Sequence, residues 1–139
     1  MNSFFEGKLW IKSLIVTDQP ATRTEVRARL QFPNGELAVL GDGENVVRHL
    51  SYVELKQGMG RGNHFHKLRH EYFYLITGEV DVIAEQLSNK ERANTVIRGG
   101  DLVFINPEIA HVFIPRVAGH AIEYAAEQFD PGDVYRYPL

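Results

Sequence analysis

Turn signals recur along this chain too closely for long helices to fit between them. They fall at Asp18-Gln19-Pro20, Pro33-Asn34-Gly35, Gly41-Asp42-Gly43, Gly58-Met59-Gly60-Arg61-Gly62, Gly78-Glu79, the polar run 87–92 and Gly99-Gly100. The segments between them are rich in strand formers and none carries a sustained helical period, which argues for an all-β sandwich or barrel. Strands are expected over 8–16, where Leu9 and Ile11 are offset from Lys8, Trp10 and Lys12, and at 26–32 and 36–40 around a hairpin at Phe32-Pro33-Asn34-Gly35. Further strands are expected over 46–56, 72–76, 80–86, 95–97, 102–105, 111–114 and 121–127. The stretch after Pro20 to about Arg27 reads equally as short helix or loop. At 139 residues the chain is long enough for one domain with a real core and too short for a second.

Composition removes several function classes. The formal net charge of −3, with no dense basic cluster, gives no general attraction to nucleic acid or to an anionic membrane. With no cysteine, a disulfide framework and a thiolate metal site are both impossible, so any transition metal must be held by nitrogen and oxygen. Met1-Asn2-Ser3-Phe4-Phe5-Glu6-Gly7-Lys8 carries no basic region followed by a long apolar core, and no apolar run approaches a membrane span, so the expected compartment is the cytoplasm.

Chemistry concentrates between Gly58 and Gly78. His64 and His66 are separated by one residue, and on a strand such a pair points to the same face and can converge on one ion. The polar stretch Lys67-Leu68-Arg69-His70 is expected to turn the chain so that a hairpin returns Glu71 beside the histidines. Gly78-Glu79 is then expected to turn tightly into a further strand. Imidazoles with a carboxylate form a nitrogen/oxygen set suited to zinc, iron, manganese, nickel or copper. Three glycines at 58, 60 and 62 admit a phosphate-cradling reading, but no helix or Walker-type lysine follows. They read better as backbone feeding the ligand strand, and Gly58 and Gly78 as structural.

The pattern Gly58, His64, His66, Glu71, Gly78 resembles the first motif of the cupin family, and residues 100–111 resemble its second. The family's Pro-x-Gly is here Asn106-Pro107-Glu108, and Pro115 stands at its asparagine. The resemblance spans about residues 46–127 and implies a single-domain, all-β, cupin-type double-stranded β-helix, a jelly-roll barrel. Residues 1–45 would pack on that barrel or on a partner subunit, and residues 128–139 form a C-terminal tail. It implies one divalent transition metal ion (Zn, Fe, Mn or Ni) on His64, His66, Glu71 and His111. It selects Glu71 over the adjacent His70, which is left exposed or supporting a ligand. It also implies a homodimer, with the Trp10 strand a candidate for exchange or edge pairing.

By strand parity Phe73, Leu75 and Phe113 would wall the cavity, while Tyr72 and Tyr74 pack outward against another sheet or subunit. His49 and His120 lack ligand spacing. The run from Gly60 to Lys67 resembles cupins that modify activated sugars in capsule and surface-polysaccharide synthesis. Arg61 stays open between an exposed loop arginine and a group for a phosphate or substrate carboxylate. Phe73, Phe113 and Arg61 are thus the candidate substrate-binding residues. The favoured reading is a metal-dependent sugar or nucleotide-sugar isomerase or epimerase on a small-molecule ligand, with no catalytic base assigned. A ferrous-iron dioxygenase and a non-catalytic binding or sensing module are the alternatives.

Overall fold

The computed structural model describes residues 1–14, 29–43 and 46–139; the segment expected to be either helix or loop, and residues 26–28 of the hairpin, lie outside them. The described strands are β1 (Asn2–Phe4), β2 (Leu9–Ser13), β3 (Arg29–Phe32), β4 (Gly35–Ala38), β5 (His49–Leu55), β6 (Arg61–Phe65), β7 (Glu71–Gln86), β8 (Arg92–Arg98), β9 (Asp101–Ile105), β10 (Ile109–Ala125) and β11 (Tyr135–Arg136). Two of them, β7 with 16 residues and β10 with 17, are far longer than the rest and run together through the whole barrel.

Each long strand serves both layers. The first half of β7 pairs with β9 and its second half with β8. The first half of β10 pairs with β6 and its second half with β5, while β10 lies antiparallel to β7 throughout. One layer is therefore β1-β2-β9-β7-β10-β5 and the other β8-β7-β10-β6-β11, with β3-β4 a separate hairpin. This is a jelly-roll barrel.

The two long strands differ from the expected pattern of turns. Gly78-Glu79 is not a tight turn, and the segments 111–114 and 121–127 are not separate strands. Gly78 has φ 113°, and β10 shifts register between Pro115 and Ala121, so the paired strands bend together from one layer into the other. Such irregularities re-aim a strand without ending it.

The space between the layers is filled by Leu9, Leu55, Phe73, Leu75, Val80, Val82, Ile97, Val103 and Ile105, among others. Burying such a side chain contributes about 1.5–3 kcal/mol. Leu75 belongs to this core at 0% exposure and does not reach the cavity, which corrects its expected role as cavity wall. Tyr72 and Tyr74 face away from the site into a second apolar cluster with Trp10, Leu14, Leu40, Leu102 and Tyr124. Trp10 stacks on Phe104 at 5.3 Å across the β2–β9 pairing of its own chain. Among the described residues no helix is long and apolar enough to cross a membrane.

Candidate functional site

The histidine strand is shaped by its own short motif. β6 pairs His64 with His111 and Gly62 with Val112, so one residue, Asn63, is left over as a bulge. Gly62 sits at φ 114° and Asn63 at φ 56°, conformations that glycine and asparagine accept more readily than other residues. A side chain at Gly62 would place its first carbon 2.6 Å from the His111 carbonyl oxygen. The bulge thus aims His64 inward opposite His111. Phe65 faces outward and stacks on Tyr135 at 5.1 Å, and His66 turns inward again.

The route to Glu71 differs from the expected hairpin. β6 and β7 are not neighbours, because β10 lies between them, and residues 67–70 cross from one layer to the other. Asp133 holds this crossing. Its carboxylate accepts from the backbone N–H groups of Lys67 at 2.8 Å, Leu68 at 3.2 Å and Arg69 at 3.2 Å. Its backbone carbonyl accepts from His66 Nδ1–H at 2.8 Å. Charge-assisted bonds of this kind contribute about 1.5–3 kcal/mol each, with losses that do not add fully. Asp133→Ala is expected to cost about 3 kcal/mol in chemical denaturation; a cost below about 1 kcal/mol would show that the crossing is held by other contacts.

His64, His66, Glu71 and His111 each present one donor atom, all within 4.8 Å of one another. Glu71 is 3% exposed and His111 1%. Glu71 Oε2 lies 3.1 Å from His111 Nε2 and 3.8 Å from His66 Nε2. His111 Nδ1–H donates to the Ile109 carbonyl at 3.0 Å, as His66 does to Asp133, so in the neutral rings both Nε2 atoms carry lone pairs toward the cluster. With His111 neutral, Glu71 Oε2 and His111 Nε2 are two buried acceptors facing each other, an arrangement satisfied by a proton on His111 or by a cation bound between them. Two ligand atoms about 2.1 Å from one ion are about 3 Å apart when they subtend roughly a right angle, so the donor set fits a divalent transition metal.

The loop that departs from the cupin pattern still delivers His111. Glu108 takes φ 65° where the motif has glycine, and its N–H donates to the His66 carbonyl at 2.7 Å. His70 is exposed and bonds Glu127 at 2.7 Å. His49 bonds Ser51, and His120 pairs with Tyr52 on the outer face; neither joins the cluster.

The cluster opens into a cavity of about 470 Å³ lined also by Arg61, Arg69, Phe73, Phe113, Glu123 and Phe129. Phe73 and Phe113 stack at 4.2 Å with nearly parallel rings. Three polar residues escaped the sequence reading: Asp133, Arg69 and Glu123. Arg69 is 4% exposed and donates from Nη2 to Glu123 Oε1 at 2.8 Å. A signal for Glu123 was the inward alternation Ala121, Glu123, Ala125, which puts a carboxylate among small buried residues.

Electrostatics follow from this crowding. Burial opposes charge on Glu71, but the adjacent His111 holds its carboxyl well below the usual range. Burial likewise opposes charge on His111, and the Glu71 carboxylate raises it all the same. Burial first and the Glu71 charge second push Glu123 up to about 8. Burial, then His111 and His66, lower His64 to about 4. In metal-free protein the His64 imidazole is therefore expected to stay neutral until about pH 4 when followed by NMR; an ordinary midpoint near 6.5 would contradict this environment.

No family model matches the chain, and no curated protein matches it in sequence. Solved structures match its shape, and they define the cupin-type jelly roll as its fold. A 3,4-ketoisomerase from Helicobacter canadensis superposes with TM-score 0.74 at 11% identity over 92% of this chain and 90% of that one. A variant of the 3,4-ketoisomerase QdtA from Thermoanaerobacterium thermosaccharolyticum, in complex with TDP-4-keto-6-deoxyglucose, gives 0.69 at 13% identity over 93% and 87%. The capsular polysaccharide assembling protein CapF from Staphylococcus aureus gives 0.61 at 23% identity, covering 68% of this chain and 27% of CapF.

Proposed function

We propose that this protein is a metal-dependent isomerase or epimerase acting on a nucleotide-linked keto sugar. The observation that carries the reading is the convergence of one donor atom each from His64, His66, Glu71 and His111 within 4.8 Å of one another, inside a cavity of small-ligand size. The shape likeness to nucleotide-sugar ketoisomerases supports the substrate class.

His64, His66, Glu71 and His111 would hold the ion, with His66 and His111 fixed in the ligating tautomer by their backbone bonds. When bound, a divalent ion supplies positive charge to a sugar carbonyl oxygen and stabilises the negative charge that develops there as the neighbouring C–H bond breaks. The stacked Phe73 and Phe113 exclude water beneath the sugar. Arg61 is exposed at the cavity rim, where its planar fork suits a diphosphate.

The test is anaerobic incubation of metal-loaded protein with a panel of TDP- and UDP-linked 4-keto-6-deoxyhexoses, TDP-4-keto-6-deoxyglucose included. Conversion of at least one sugar, abolished by chelation and restored by metal, is expected. Conversion that survives complete metal removal, or a strict requirement for oxygen, would overturn the proposal.

A further inference from the structure

Proton removal next to a carbonyl needs a group that can accept the proton and give it back. Among the described residues, and apart from the four proposed ligands, the cavity is lined by Arg61 and Arg69, by phenylalanines, and by valine and glycine positions, with one exception. Arginine stays protonated at any working pH, and the others carry no exchangeable side-chain proton. The exception is Glu123.

We propose that Glu123 is the catalytic residue that takes up and returns the substrate proton; this rests on the isomerase reading above. Its place in the fold suits the task. It stands on β10 opposite Phe73 of β7 and Ser51 of β5, on the inner face of the barrel. Arg69 Nη2 pins one carboxyl oxygen at 2.8 Å, fixing the direction of the group. Its side chain keeps 25% of its surface open, whereas that of Glu71 beside it keeps 4%. A ligand in the cavity can therefore reach Glu123 from the same space into which the four proposed metal ligands open. Proton transfer needs a heavy-atom approach of about 2.6–3.2 Å, and an inward carboxyl group on a strand lining the cavity is within reach of a bound ligand.

The balanced step is as follows. The C–H bond next to the sugar carbonyl breaks, and its electron pair forms the C=C bond of an enediolate. The carbonyl π pair moves onto oxygen, and the proton passes to the Glu123 carboxylate. Return of that proton to the former carbonyl carbon, with the hydroxyl proton passing between the two oxygens through solvent, gives the isomeric ketone. No oxidant or reductant enters.

The experiment compares the metal-loaded parent with Glu123→Gln and Glu123→Asp on the same sugar panel in deuterated water, following conversion and deuterium entry at the carbon beside the carbonyl by NMR. Metal content and TDP binding are measured in parallel. Glu123→Gln keeps the size of the side chain and an oxygen for Arg69 but cannot accept the proton. It is expected to lose about a hundredfold to ten-thousandfold in both conversion and exchange, with metal and TDP binding retained, and Glu123→Asp is expected to recover part of the loss. Exchange by Glu123→Gln within threefold of the parent would overturn the assignment and pass the role to a histidine of the cluster. A loss that tracks loss of bound metal, with Glu123→Asp no better, would also overturn it by making Glu123 a structural support. Absence of any exchange by the parent would remove the isomerase reading, and this assignment with it.

Discussion

His111→Ala is expected to slow conversion of the responsive keto sugar by roughly a thousandfold while the barrel stays folded. His111 lies 3.1 Å from Glu71, is 1% exposed, and stands on the inner face of the central strand β10. Truncating it removes one of the four proposed ligands and takes away the imidazole that faces Glu71 Oε2. Removing a single electrostatic contact at a reacting oxygen already costs about a hundredfold to a thousandfold, and loss of the ion would compound it. The loss should fall on kcat more than on KM, because under the proposed function the cluster would face the reacting end of the sugar while Arg61 at the rim is unchanged. His120→Ala is the matching control. That histidine pairs with Tyr52 on the outer face, and activity is expected to stay within twofold of the parent. A His111→Ala protein within tenfold of the parent would place the chemistry elsewhere.

The second large effect belongs to the fold. Gly119→Ala is expected to destabilise the protein by about 3 kcal/mol or more, enough to leave a marginal barrel largely unfolded. A methyl group there would lie 1.8 Å from the Thr77 carbonyl oxygen, 2.5 Å from the Thr77 carbonyl carbon and 2.9 Å from the Gly78 α-carbon. All three are backbone atoms of the bend where β7 and β10 pass together between layers. No side chain can rotate away, so the two strands must separate at the point on which both layers depend. Gly60→Ala offers a contrast, since its methyl would meet only the Val112 side chain at 3.4 Å and the Ile114 side chain at 3.7 Å, with the nearest backbone atom at 3.9 Å. Its cost in denaturant midpoint is expected to stay below about 1 kcal/mol. Equal effects from the two substitutions would refute the role assigned to the shared bend.

The same bend explains what sequence reading reached and what it missed. Period-two alternation put His64 and His66 on one face, because that relation is local and needs no knowledge of the partner strand. Glu71 was brought to the histidines through the wrong connection. A hairpin is the local solution for a polar stretch between strands, whereas the actual neighbour of both strands is β10, which pairs His111 with His64 and Ala125 with Glu71, residues far apart in sequence. Gly78 and the Pro115 to Gly119 stretch carry the composition of turns, and only long-range pairing decides that they bend a continuous strand. Leu75 was misplaced because parity says which face a residue takes, not how deep along the barrel it lies. Asp133, Arg69 and Glu123 form no spaced motif, since their relation exists only after the tail and the crossing segment have packed on β10. Asp133 is the extreme case, a residue of the C-terminal tail whose carboxylate arranges the approach to Glu71 from more than 60 positions away.

Whether His64, His66, Glu71 and His111 hold an ion is measured directly by elemental analysis of the purified protein beside a His64→Ala, His111→Ala double variant. Close to one equivalent of zinc, iron, manganese or nickel per chain in the parent, and its loss in a folded double variant, is the expected result. Little or no metal in the parent even after reloading, or equal metal in both proteins, would contradict it.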